Sequence, residues 1–199
     1  FEETIVSNHS DFDRFAQNIP EQDAEPADLP EPALRGLKLF IGKAGCVRCH
    51  SGANFTDGEF HHLFLNDFST TRNTGRYRGV QHLKSSPFNS KSAYSDVPED
   101  YRHPVDYAYK NIEFRGQYKT PTLRNIAKTA PYMHNGQFQT LADVIDYYNT
   151  ISEHIKPDNH QETTLQSLQL SPIEKQDLEA FLVSLTDESF LKQLEGSSQ

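Results

Sequence analysis

Cys46 and Cys49 are the chain's two cysteines, and His50 directly follows the second. The run Cys46-Val47-Arg48-Cys49-His50 is C-x-x-C-H, the spacing at which c-type haem is attached. The spacing has a mechanical reason. Two thiols three positions apart can each add to a vinyl group on one edge of the porphyrin, and the adjacent imidazole then reaches the iron from the proximal side. Its other ring nitrogen is expected to donate to a carbonyl or carboxylate, which fixes the ring. Zinc would want four ligands, and the chain has one cysteine pair. A redox dithiol of the thioredoxin type would sit in a βαβ setting, which the pattern lacks. Attachment consumes both thiols, so no disulfide forms within the chain. Covalent attachment occurs outside the cytoplasm, which implies a periplasmic or otherwise exported protein.

A cofactor also suits the composition. The chain has 199 residues, enough for one ordinary domain or two small ones, and only 35% of them are hydrophobic. Mean hydropathy is -0.72, so protein alone fills a core poorly, and a cofactor or a partner surface can complete it. No run approaches the ~20 apolar residues of a membrane span. Nineteen Lys and Arg stand against 28 Asp and Glu, a net charge of -9. That sign argues against a nucleic-acid partner, because phosphate binding needs the opposite one.

The pattern predicts a mainly α fold, a helical haem domain of cytochrome c type with long irregular loops and no convincing strands. Residues 10–17 read as the end of a helix, with Phe12 and Phe15 on one side. Residues 18–32 hold four prolines and five acids and read as an acidic linker or surface loop. A helix is expected over 32–44, with Pro32 in its first turn and Ala33, Leu37, Phe40, Ile41 and Ala44 on one face. Gly45 ends it before Cys46. Residues 51–118 are loop-rich, and such a length needs an anchor. Thr120 and Pro121 are expected to open a short helix that stops before Pro131. Thr140 caps the next helix, with Asp143 completing a weak capping box and Leu141, Val144, Ile145, Tyr148 and Ile151 on its apolar face. Ser171-Pro172-Ile173-Glu174 opens the last clear helix, with Leu178, Phe181, Leu182 and Leu185 on one stripe. The expected organisation is therefore an inter-domain segment and acidic linker at 1–31, a haem domain at 32–186 and a polar tail at 187–199. The opening at Phe1, without Met or signal peptide, reads as a removed leader or a piece of a longer polypeptide.

The occupant of the iron's second axial position sets its reactivity. By spacing alone Met133, the single Met, is the obvious choice, and His134, His61 and His62 also qualify. Tyr148 competes because it shares the apolar face of the helix after Thr140, while Tyr147 points about 100° away. Its bland alternative is a core tyrosine bonded to backbone.

At this point the chain resembles the C-terminal half of the bacterial di-haem cytochrome c peroxidase and MauG family. The likeness runs through Leu34-Arg35-Gly36-Leu37-Lys38-Leu39-Phe40, Asn54-Phe55-Thr56-Asp57-Gly58 and Gly75-Arg76-Tyr77. It is most specific in Tyr118-Lys119-Thr120-Pro121-Thr122-Leu123-Arg124-Asn125-Ile126-Ala127, then continues through Thr129-Ala130-Pro131-Tyr132-Met133-His134-Asn135-Gly136 and Thr140-Leu141.

The resemblance implies a haem in each half, with peroxide usually reacting at the N-terminal one. The C-terminal haem passes electrons or shares oxidising equivalents. It implies a calcium ion between the halves, bound by backbone carbonyls at Thr129 and Pro131 and an Asn of the other half. It implies a distal ligand in the helix after Thr140-Leu141, Met in the family's peroxidases and Tyr in MauG-like members. The matching residue is Tyr148. A thioether favours the ferrous state and a tyrosinate the ferric and higher states, so Tyr148 points to the MauG-like subgroup, whose members oxidise a side chain on a partner protein at long range. A redox partner, whether cytochrome, cupredoxin or protein substrate, is implied. The alternatives are an electron-transfer domain of a Met-ligated di-haem peroxidase, or a mono-haem electron carrier without catalysis.

The departure from the family is that one C-x-x-C-H is present and there is no Trp. The N-terminal haem-bearing half is therefore expected on a second chain or lost from a fragment. Arg124 is expected to pair with a haem propionate or to form a structural salt bridge, and Lys119 could do the same less specifically. His134 is expected near the calcium and a propionate. Phe55, Phe60 and Tyr132 are expected to pack on haem or core. The 78–110 stretch is longer than a peroxidase of the family would need and reads as a partner-contact loop.

Overall fold

The structure, a computed structural model, describes residues 7–17, 29–65, 74–96, 98, 101–153 and 165–196. Its elements in chain order are α1 (Asp11–Gln17), α2 (Glu31–Ile41), β1 (Phe60–His62), α3 (Gly75–Ser85), α4 (Pro104–Tyr107), β2 (Gln117–Lys119), α5 (Leu141–Asn149), α6 (Pro172–Val183) and α7 (Glu188–Gly196). The fold is mainly helical, as the pattern predicts, with one small two-stranded sheet that the pattern does not signal. Of the acidic linker expected at 18–32, residues 18–28 lie outside the described residues. None of the described helices is long and apolar enough to cross a membrane.

The chain forms two compact units. The first comprises Phe1–Gly58, Thr120–Ser152 and Gln166–Gln199. Its centre is the packing of α2 on α6. Gly36 makes it close: a Cβ there would stand 1.9 Å from the Asp177 carbonyl oxygen and 2.8 Å from the Phe181 Cβ. Charge pairs bracket the interface. The Arg35 fork meets the buried Asp177 carboxylate with two hydrogen bonds of 2.8 Å, and Lys43 lies 2.8 Å from Glu174. Burial in this unit gathers Phe40, Leu141, Ile145, Leu178, Phe181 and Leu185, the residues that helical periodicity assigns to α2, α5 and α6 and the turn after α6. Both predicted capping boxes form, Thr140 with Asp143 on α5 and Ser171 with Glu174 on α6.

Three segments differ from the sequence reading. α1 is built into this unit through Phe12 and Phe15, which pack in its core, so this part of 1–31 is body rather than linker. α7 is anchored by Asp187, 1% exposed, so the expected tail begins as a capped helix. Thr120 and Pro121 open no helix: 120–123 is irregular and only Ile126–Lys128 forms a 3-10 turn. The reason is tertiary, because Asn125 sits at φ 59° and donates its N–H to the Leu185 carbonyl at 3.0 Å.

The second unit comprises Glu59–Lys119 and Glu153–Leu165. β1 pairs antiparallel with β2, Phe60 opposite Lys119 and His62 opposite Gln117. The anchor that this loop-rich stretch needs is aromatic and cationic. The Arg76 guanidinium lies 4.6 Å from the Phe60 ring centroid and 4.1 Å from that of Phe114, and Lys110 and Arg115 flank the Tyr77 ring at 4.4 and 5.1 Å. Such stacks contribute about 0.5–2 kcal/mol each.

Candidate haem site

The site is built where α2 stops. Gly45 takes a left-handed φ of 61° and turns the chain into the 3-10 turn Cys46–Arg48, and the His50 N–H donates to the Cys46 carbonyl at 2.9 Å. This winding presents two half-buried thiols and the imidazole from one short turn. Neither cysteine is in a disulfide. Burial, aided by the field of Cys49, pushes the Cys46 thiol up to about 12, so it stays protonated.

His50 Nδ1 lies 2.9 Å from the Phe55 carbonyl oxygen. A carbonyl only accepts, so the ring proton sits on Nδ1, and the lone pair is left on Nε2, the nitrogen that an axial imidazole offers to iron. The residue that aims the proximal ring is thus Phe55, through its backbone, with its side chain packed in the core.

α5 supplies the other candidate ligand. Tyr148 is half-buried. Burial is the main cause raising its pKa, with Cys46, Cys49 and Tyr147 next, so both cysteines lie near the phenol. Tyr148 hydroxyl makes no hydrogen bond to any described residue, whereas the Tyr132 hydroxyl donates to the Ile126 carbonyl at 3.0 Å. The bland alternative, a core tyrosine bonded to backbone, is what Tyr132 does and Tyr148 does not. Helix phase turns Tyr147 away from the apolar face that Tyr148 shares, but in the structure Tyr147 is the more buried of the pair, because it packs on the Phe138 ring at 5.4 Å. The apolar surround includes Ala44, Val47, Leu123, Ile126 and Val144, all partly buried against the core. Two thiols, one oriented imidazole and nearby apolar side chains fit a haem c, and the Tyr148 phenol, without a hydrogen-bond partner among the described residues, is a candidate for a further ligand.

The remaining candidates fall elsewhere. Met133 occupies a tight turn at φ 68° and is not packed against the core. His134, Thr129 and Pro131 are exposed. The Thr129 and Pro131 carbonyls accept no hydrogen bond from a described residue, so both oxygens are available, yet calcium takes six to eight and most would have to come from outside this loop. His61 and His62 are half-buried on β1 and Lys119 is exposed at the end of β2, all in the second unit. The Arg124 fork is occupied by Asp13, at 2.8 and 2.9 Å, the structural salt bridge rather than a propionate pair. That pairing is what sequence reasoning missed. Its one local signal is Ser10-x-x-Asp13, where the Ser10 N–H donates to the Asp13 carboxylate and the Asp13 N–H to the Ser10 hydroxyl, like a capping box at the start of α1.

No family model matches the sequence. The chain is 35% identical over 198 residues to the cytochrome-c peroxidase IdrP1 of Pseudomonas sp. (strain SCT), covering 94% of this chain and 47% of that protein. It is 34% identical over 188 residues to the methylamine utilization protein MauG of Methylorubrum extorquens, covering 94% and 42%. Among solved structures, a MauG-like protein associated with microbial copper homeostasis superposes with a TM-score of 0.63 at 27% identity, over 93% of this chain and 54% of that one. The diheme peroxidase BthA of Burkholderia thailandensis shares the fold, with a TM-score of 0.59 at 20% identity over 96% and 49%. The chain belongs to the bacterial di-haem cytochrome c peroxidase and MauG family. It spans about half the length of the relatives it matches.

Proposed function

We propose that this chain is the C-terminal haem c half of a MauG-like di-haem oxidoreductase. In this reading it stores or relays oxidising equivalents that originate from hydrogen peroxide. It exchanges electrons with a second haem on the N-terminal half, and it oxidises a partner protein or accepts electrons from one. Cys46 and Cys49 would hold the haem, and His50 and Tyr148 would supply ligands to its iron. The haem, when bound, supplies reversible one-electron chemistry. The residues do the rest. Cys46 and Cys49 fix the macrocycle edge, the Phe55 carbonyl keeps the proton on His50 Nδ1, and the apolar surround excludes water. Tyr148 loses its hydroxyl proton on binding a ferric ion, since a cation inverts the effect of burial on a neighbouring acid.

The N-terminal half is proposed to be a second chain, and the protein to work in the periplasm or another exported compartment, where haem c is attached. The Thr129 and Pro131 carbonyls are proposed as this half's share of a calcium site between the halves. Within 78–110, Phe88, Tyr94, Tyr101, Tyr107 and Tyr109 are all more than half exposed, which supports a contact surface for a redox partner.

The observation that carries the Tyr148 assignment is its hydroxyl on α5, near both cysteines and without a hydrogen-bond partner among the described residues. A Tyr148→Phe holoprotein should lose the ferric phenolate-to-iron absorption and become easier to reduce. An unchanged ferric spectrum would refute the assignment and leave a Met-ligated or His-ligated relay. Intact mass tests the second chain: a single species of 22.7 kDa plus one haem excludes it.

A further inference from the structure

We infer that Asp13 and Arg124 form a positioning device for the proximal imidazole, holding the Phe55 carbonyl against His50 Nδ1 and so tuning the iron. The inference rests on His50 being the axial ligand of a haem held by Cys46 and Cys49.

Phe55 sits at φ 51°, a left-handed conformation that costs a residue with a side chain about 1–2 kcal/mol. Something must hold it there, and three hooks converge on its flanks. Arg124 Nε donates to the Ala53 carbonyl at 2.7 Å. The Thr122 hydroxyl donates to the Asn54 carbonyl at 2.6 Å. The Thr56 hydroxyl donates to the Thr120 carbonyl at 2.7 Å. The residues on both sides of Phe55 are thus fastened to 120–124, and its own carbonyl is left to His50.

The fastening is only as firm as Arg124 itself. Its two terminal nitrogens grip Asp13 at 2.8 and 2.9 Å, with both side chains nearly buried, 13% and 10% exposed. Asp13 is in turn held by the Ser10 hydroxyl and N–H at 2.6 and 2.9 Å. The Arg124 guanidinium also lies 5.6 Å from the Phe55 ring centroid. One arginine therefore ties α1 to the carbonyl that orients the ligand, with each nitrogen of its fork assigned. Lysine cannot reproduce this, because its single ammonium cannot grip a carboxylate with two nitrogens while a third reaches a carbonyl.

A firm Nδ1–H donation makes the imidazole a stronger electron donor and favours ferric iron. Loosening the loop should do the reverse. The test uses haem-loaded Arg124→Ala, Arg124→Lys and Thr122→Val, with Lys128→Ala, in an exposed pair with Glu188, as control. A pyridine haemochrome assay and intact mass first establish that haem is attached. Midpoint potential and the ferrous iron–histidine stretching frequency are then measured. Arg124→Ala should raise the potential, lowering the ferric-to-ferrous ratio at a fixed applied potential by roughly threefold or more, and should lower the stretching frequency. Arg124→Lys should recover part of the shift. Thr122→Val, which removes one exposed hook, should move both readouts the same way by less, and decides the matter if Arg124→Ala does not fold. A purely structural role would lower the melting temperature and leave both readouts where the control leaves them, which overturns the inference. A wild-type protein without thioether-bound haem, or a His50→Ala variant that keeps its axial imidazole, overturns instead the reading on which it rests.

Discussion

Replacing Gly36 with Ala sets two physical effects against each other. In an exposed helix interior the change is favourable by about 0.8–1 kcal/mol, because glycine loses more backbone freedom on folding. Gly36 is not exposed: the new Cβ would stand 1.9 Å from the Asp177 carbonyl oxygen, where real Cβ atoms essentially never approach within 3.0 Å. The obstacle is backbone, so no rotamer change relieves it, and α2 and α6 must part by about an ångström. A gap of about 0.5–1 Å forfeits a quarter to a half of each dispersion well along the seam, and it stretches the Arg35–Asp177 fork as well. Overpacking of this kind costs about 1–3 kcal/mol and occasionally more. With backbone as the obstacle we take the upper end and expect a net loss of about 2–3 kcal/mol after the propensity gain. At roughly 2–4 °C per kcal/mol for a chain of this size, the melting temperature of the haem-loaded protein, followed by circular dichroism, should fall by roughly 4–12 °C. Gly79 is the matched control. It lies in α3 with nothing within 4 Å of its would-be Cβ, so Gly79→Ala should raise the melting temperature by a few degrees. An unchanged or raised melting temperature for Gly36→Ala would refute the close-approach argument and leave helix propensity as the governing effect.

Burial would raise the Asp187 carboxyl, but hydrogen bonds from the Ser189 hydroxyl and the N–H groups of Phe190, His9 and Asn8 outweigh it and lower the pKa to about 2. The folded value lies below the ordinary 3.8. Asp187 therefore contributes about 2 kcal/mol above roughly pH 4, lost as pH falls through about 2; urea midpoints between pH 2 and 6 should show this, and Asp187→Asn should flatten the dependence. Thr140→Ala removes the cap of α5 and should cost about 1 kcal/mol in a urea titration, with a loosened ferric tyrosinate signal because Tyr148 rides on that helix. Cys49→Ala should leave haem on one thioether and Cys46→Ala/Cys49→Ala none, read by haem staining after denaturing electrophoresis.

What was legible in the sequence was what is encoded locally. Cys46, Cys49 and His50 are neighbours in the chain, as two thioethers to one porphyrin edge and an imidazole to its iron would require, so spacing alone carries their proposed chemistry. α5 and α6 announce themselves because a capping box needs its partners only three residues apart, and the apolar stripe of each follows from helical phase. Tyr148 is intermediate: phase assigns it to the apolar face, whereas Tyr147 is the more buried of the two, and only the fold brings Tyr148 near the cysteines. Long-range partnerships were not legible. Arg76 settles between Phe60 and Phe114, which lie on either side of it in sequence, so the 51–118 stretch carries no period although it forms a unit. Thr120 and Pro121 have the residues of a helix start, yet the Thr122 hydroxyl and Thr120 carbonyl are spent on residues 53–56 instead, and local preference yields to them. Arg124 finds Asp13 across 111 positions, and no single-sequence pattern could pair them. The same distinction separates the parts of the candidate site. The two cysteines and the histidine proposed to hold the haem are written next to one another, whereas Tyr148 and the groups that aim His50 are scattered through α5, α1, the 53–56 loop and the 120–124 segment, because rigidity at the imidazole is obtained by fastening together pieces of chain that only the folded state brings within reach.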